Sequence, residues 1–121
     1  MALRTSLDLE LVPLLKALRN RLDGLDGVAM ETKDGLEVHS VLDVPFMQLE
    51  IRRDHMNLDL WLTDEKLEEA RSSGIGRAHP FMENEAVKVR FERAEDLTRV
   101  AHWLEAAYEH GLERARQAAG D

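Results

Sequence analysis

Residues 46–62 read FMQLEIRRDHMNLDLWL, and the fold follows from how that stretch alternates. Met47, Leu49 and Ile51 take every second position, and Leu58, Leu60 and Leu62 do the same after a polar break. A period of two marks a strand with one buried face, because successive side chains leave the pleat on opposite sides. Two strands are predicted, Phe46 to Arg52 and Leu58 to Leu62, with Arg53 to Asn57 as the turn between them. Gln48, Glu50, Arg52, Asp59 and Trp61 fall on the other parity and are predicted to point away from the core.

The same period continues on both sides. Val28 to Thr32 and Leu36 to Leu42 read as a hairpin around Lys33-Asp34-Gly35, since Asp-Gly supplies the positive φ of a tight turn. Asp43-Val44-Pro45 reads as an interruption before the third strand. Ala86 to Glu92 reads as a fifth strand, with Val87, Val89 and Phe91 inward. Further out the period lengthens to that of a helix. Leu11, Leu14, Leu15, Leu18 and Leu22 mark a first helix over Asp8 to Asp23, with Pro13 in its first turn and Gly24 as its stop. Thr63 or Asp64 caps a short helix through Ser72, carrying Leu67 and Ala70. Ser72 to Asn84 reads as a loop. Leu97, Val100, Ala101, Leu104, Tyr108 and Leu112 define a last helix over Ala94 to Ala118. Residues 113–121 lose that stripe and are predicted to fray. The order α-β-β-β-β-α-β-α predicts one α+β domain over residues 1–121, with a mainly antiparallel sheet of about five strands and helices on one face.

Bulk properties narrow the function. The chain has 121 residues, 44% hydrophobic and 33% charged, which suits one globular domain with a core of its own. It has no cysteine, which excludes disulfides, thiolate metal sites and thiol nucleophiles, and favours a cytoplasmic location. No basic-then-apolar leader opens the chain, and no apolar run approaches the ~20 residues that cross a bilayer. A formal net charge of −8 opposes general binding to nucleic acid, which needs Lys and Arg against phosphates.

From Leu11 onward the chain resembles the YdhG-like and YjbR-like families of small bacterial α+β domains. The residues that carry the resemblance are Asn57-Leu58-Asp59-Leu60-Trp61-Leu62, the loop with His79, Val87-Lys88-Val89-Arg90-Phe91, Glu95-Asp96-Leu97 and Ala106-Ala107-Tyr108-Glu109. The first hairpin, Met30 to Gly35, departs from the aromatic and lysine-rich pattern common in relatives. The resemblance implies an α+β fold and an accessory role, since members occur fused to other domains. Some YdhG-like members are regarded as frataxin-like iron chaperones, which implies iron as a cofactor or cargo. The names given to YjbR-like relatives imply DNA association.

No residue pattern signals catalysis. The serines lie outside any Gly-x-Ser-x-Gly elbow, and Gly74-Ile75-Gly76-Arg77 follows a helix and lacks the Lys of a phosphate loop. Arg77 there is a candidate anion contact. If the aliphatic sets point inward, Glu37, His39, Gln48, Glu50, Arg52, Asp59, Trp61, Lys88 and Arg90 share the outward face. His39, Glu50 and Asp59 then become a candidate iron, manganese or zinc set. The competing reading is a solvated face whose charges pair across strands. Trp61 is a large aromatic on that face, and such residues mark interfaces. Met56, Phe81 and Met82 extend it as candidate apolar contacts. The expected role is a non-enzymatic interaction domain. Its candidate surface is Trp61, Asp59, Glu50, Arg52, His39 and Arg90, taking a protein partner or a second copy.

Overall fold

The computed structural model describes residues 7–74, 77–78 and 85–120. A 3-10 turn, Leu9–Leu11, leads into α1 (Val12–Asp23). There follow β1 (Val28–Lys33), β2 (Leu36–Val41), β3 (Val44–Ile51), β4 (Met56–Trp61), α2 (Asp64–Ser72), β5 (Arg77–Ala78), β6 (Ala86–Phe91) and α3 (Ala94–Gly120). The strands form one sheet in the order β1-β2-β3-β4-β6-β5, and every neighbouring pair is antiparallel. The predicted α+β architecture is the one observed, with the two-residue β5 added inside the stretch expected to be loop. Phe81, Met82 and His79 lie outside the described residues.

Cross-strand pairing defines the inner face. Met47 stands opposite Leu60, and Leu60 opposite Val87; Leu49, Leu58 and Val89 form the next row. These residues share one core with Leu14, Leu18 and Leu22 of α1, Leu67 and Ala70 of α2, and Val100, Leu104 and Ala107 of α3. All three helices therefore lie on that face. Thr63 caps α2 by accepting the Lys66 N–H at 3.2 Å. Asp96 accepts the N–H groups of Glu92 and Arg93 at 3.0 and 2.9 Å, tying the start of α3 to the end of β6. Tyr108 packs edge-on against Phe46 and donates its hydroxyl to the Asp26 carbonyl at 2.7 Å, which fastens α3 to the turn after α1.

Four local features depart from expectation. The turn between β2 and β3 is Leu42-Asp43, with φ of 49° and 68°. Val41 pairs with Val44, so Val44 and Pro45 belong to the strand rather than interrupting it. Second, the β2–β3 register shifts next to His39 and Ser40, where Phe46 is the extra residue of a bulge. A bulge tolerates a proline beside it and turns two consecutive side chains to one side. Phe46 and Met47 are accordingly both fully buried. Third, α3 continues as helix to Gly120, past the expected end at Ala118. Ala115 is buried there, and Arg114 donates to the Pro45 carbonyl at 2.6 Å. β4 also starts earlier than expected, at Met56, whose side chain is in the core rather than on a surface patch.

Candidate functional site

The outer face of the sheet is polar and continuous. One row crosses every strand: Glu31, Val38, Gln48, Asp59, Lys88 and Arg77. A second row is Glu50, Asn57 and Arg90, and a third places Trp61 beside Ala86. Lys88 Nζ stands 3.1 Å from Asp59 Oδ1, and Asp59 is only 6% exposed. Asn57 donates to Glu50 Oε1 at 2.9 Å, while Arg52 approaches Glu50 Oε2 at 3.0 Å. Arg90 pairs with Glu92 at 3.2 Å. The Glu50 carboxyl is held below its usual range first by the Asn57 amide, with burial opposing, and then by Arg52 and Lys88. Trp61 is half-buried, and Arg77 is exposed at the end of its row.

Five of the six residues expected at the surface, Trp61, Asp59, Glu50, Arg52 and Arg90, do gather on this face. His39 does not. It pairs with Met47, points to the helix side and is 6% exposed. The bulge at Phe46 slips β2 by one residue against β3, and a one-residue slip turns every side chain to the opposite face. His39, Glu50 and Asp59 therefore cannot share an ion, because a sheet separates the first from the other two. Glu37, expected outward, turns inward with His39.

On the inner side, Glu37 and His39 meet α1. Arg19 donates to Glu37 Oε2, and His39 Nε2 faces Glu37 Oε1 at 3.5 Å. The Glu37 carboxyl is held below its usual range first by the His39 imidazole, against burial, and then by Arg19. Arg19 was not legible as part of any site, because nothing in a helical stripe says which strand lies under its polar flank.

A third polar group lies at the end of the sheet. Trp61, Thr63, Asp64, Glu85, His110 and Arg114 line a hollow of about 380 Å³. His110 lies in α3. Burial, and then Arg114, push its imidazole toward the neutral form.

No protein-family model matches the chain, and no curated protein matches it either. Among the described residues, no helix is long and apolar enough to cross a membrane.

Proposed function

We propose that this domain works by association rather than catalysis, pairing with a second copy of itself across the outer face of its sheet. The charge layout of that face carries the reading. Glu50 and Asp59 form an acidic column on β3 and β4, and Lys88, Arg90 and Arg77 form a basic column on β6 and β5. A two-fold axis parallel to the strands, between β4 and β6, lays each column on the opposite column of the partner. An isologous interface needs that self-complementarity. The polar groups are also engaged with one another, as Asp59 with Lys88 and Glu50 with Asn57 and Arg52. Such static pairs favour specificity and register over chemistry. Trp61 supplies the aromatic anchor that interfaces favour. The resemblance to accessory α+β modules points the same way.

The size of the face sets the strength. Five strands at ~4.8 Å spacing, each about six residues long at ~3.3 Å, give a flat area of roughly 480 Å². That is below the ~800 Å² per partner of a standard stable interface, so a reversible dimer of modest affinity is expected. Sedimentation equilibrium over a concentration series tests it. The wild type is expected to show a monomer–dimer equilibrium that weakens with salt, as exposed charges do. Trp61→Ala and Arg90→Glu should each shift it toward monomer, and Glu50→Arg added to Arg90→Glu should restore it. A chain that stays monomeric at every concentration, or dimerises regardless of all three changes, refutes the proposal.

A further inference from the structure

At the turn between β3 and β4 the outer face ends in a chain of four polar side chains. His55 lies two residues before Asn57 and shares its parity, so its imidazole stands at the rim of that face. The Arg52 N–H donates to the His55 carbonyl at 2.9 Å and closes the turn beneath it. His55 Nδ1 is 2.7 Å from Asp54 Oδ1, and His55 Nε2 is 3.5 Å from Asn57 Nδ2. The same Asn57 nitrogen donates to Glu50 Oε1 at 2.9 Å. The His55 side chain is 18% exposed, so protons from solvent can reach it.

Chemistry fixes where the protons of this chain sit. An ionised carboxylate only accepts, so Asn57 must turn its NH2 group to Glu50. An NH2 group only donates, so the His55 nitrogen beside it must carry the lone pair. The proton of a neutral imidazole is then on Nδ1, where Asp54 accepts it. Each group sets the next, and all four are satisfied together only while His55 is neutral. A second proton breaks the chain at one point. Nε2–H would face the Asn57 NH2, donor against donor. Turning the amide over lets Asn57 Oδ1 accept from Nε2, but sets that oxygen against Glu50 Oε1. Glu50 then loses Asn57 and keeps Arg52, at 3.0 Å. The charged groups around the imidazole are Arg53 and Asp54 in its own turn, Glu50 and Arg52 on the β3 side, and Arg90 with its partner Glu92 on the β6 side. Asp8 joins them from the start of the chain, its N–H donating to the Arg53 carbonyl at 2.8 Å. Imidazoles change charge between about pH 5 and 8, above the range of carboxylates and far below that of guanidinium groups.

We propose that His55 is a proton switch at the rim of the outer face. Neutral, it leaves Asn57 bound to Glu50; protonated, it turns the Asn57 amide and releases Glu50. Its effect on association rests on the dimer reading above. Glu50 and Asp59 form the acidic column that meets the partner's basic column, and a His55 cation at the head of that column offsets its charge. A two-fold dimer takes the effect twice. Self-association therefore weakens as pH falls through the imidazole range.

Two measurements on the full chain separate the switch from the dimer. The first is NMR of the dilute, isotopically labelled protein from about pH 8 to about pH 5, following the His55 ring, the Asn57 side-chain amide and the Glu50 carboxyl carbon. All three are expected to move with one midpoint, and the Asn57 and Glu50 signals should lose that step in His55→Gln. The second is sedimentation equilibrium at about pH 7.5 and about pH 5.5. The wild-type dimer should be several-fold weaker at the lower pH, and the difference should be lost in His55→Gln. Asn57 and Glu50 signals indifferent to the His55 midpoint overturn the switch, whatever the oligomeric state. Coupled signals in a chain that is monomeric at every concentration uphold the switch and refute the dimer. Coupled signals with a dimer of constant strength refute the link between the two.

Discussion

Gly111→Ala sets two opposing effects against each other at the point where α3 rests on the sheet. A Cβ at position 111 would stand 3.1 Å from Val41 Cγ1 and 3.2 Å from Phe46 Cβ. Carbon atoms in ordinary contact lie ~3.5–4.0 Å apart, so something has to give by a few tenths of an ångström. Alanine inside a helix gains ~0.8–1.0 kcal/mol over glycine. Overpacking a filled core costs ~1–3 kcal/mol. Which effect wins depends on whether the neighbours can move. Val41 is 1% exposed and closes a two-residue hairpin with Val44. Phe46 is fully buried, sits in the bulge and meets the Tyr108 ring edge-on at 5.7 Å between centroids. Neither has a direction in which to retreat. Gly111→Ala is therefore expected to lower stability by about 1 kcal/mol, visible as a lower urea midpoint at unchanged slope. Val41→Ala removes the closest obstructing methyl, so Gly111→Ala should be less costly on that background than on the wild type. A Gly111→Ala protein that is more stable than wild type by the full propensity gain would refute the close approach of α3 to β2 and β3.

Other substitutions give further checks. Leu42 holds a positive φ while 64% exposed, so Leu42→Asn with Asp43→Gly should relieve backbone strain without loss of packing and raise stability by about 1 kcal/mol in the same denaturation assay. Tyr108→Phe keeps the ring contact and loses the hydroxyl bond to Asp26, at an expected cost of ~0.5–1.5 kcal/mol. Thr63→Ala removes the cap of α2 and should cost ~1 kcal/mol, read as a lower thermal midpoint. The depressed pKa of Glu37 makes its contribution fully present above the ordinary value of 4.5, and lost as pH falls through the lower folded value. Urea midpoints measured from neutral pH downward should fall more gently below that value in Glu37→Gln than in wild type.

Much of this fold was legible because alternation and core parity agree in β3, β4 and β6. Leu49, Leu58 and Val89 each follow their strand's pattern and meet in one row. β2 misled for a specific reason. Leu36 and Val38 look like its core set, which sends Glu37 and His39 outward. In a regular hairpin closed by Val41 and Val44, Val38 would indeed face Met47. The bulge inserts Phe46, His39 takes that place instead, and the core set of β2 becomes polar at one end. The one available signal was the pair of adjacent large apolar residues Phe46 and Met47, which a regular strand would split between two faces. The outer face was read correctly in Trp61, Asp59, Glu50 and Arg90, which lie on stretches of unbroken alternation, and in Arg52, one residue past the end of β3. The Arg19–Glu37–His39 group was out of reach, since it depends on the slip and on the helix axis together.

The strand order has a consequence for a growing chain. β1 to β4 are neighbours in the sheet in the order in which they are synthesised, joined by tight turns, so they can pair as they leave the ribosome. Their inner face has no such convenience. Met47, Leu49, Leu58 and Leu60 are roofed in large part by α3, which is made after every strand. Until about residue 100 has emerged, a paired meander would carry a bare aliphatic surface flanked by the open β1 edge. Exposed apolar surface beside an unpaired strand is the form in which nascent proteins aggregate or recruit chaperones. The arrival of α3 thus ends a vulnerable interval for this domain, and slow translation through Ala94–Gly120 would lengthen it.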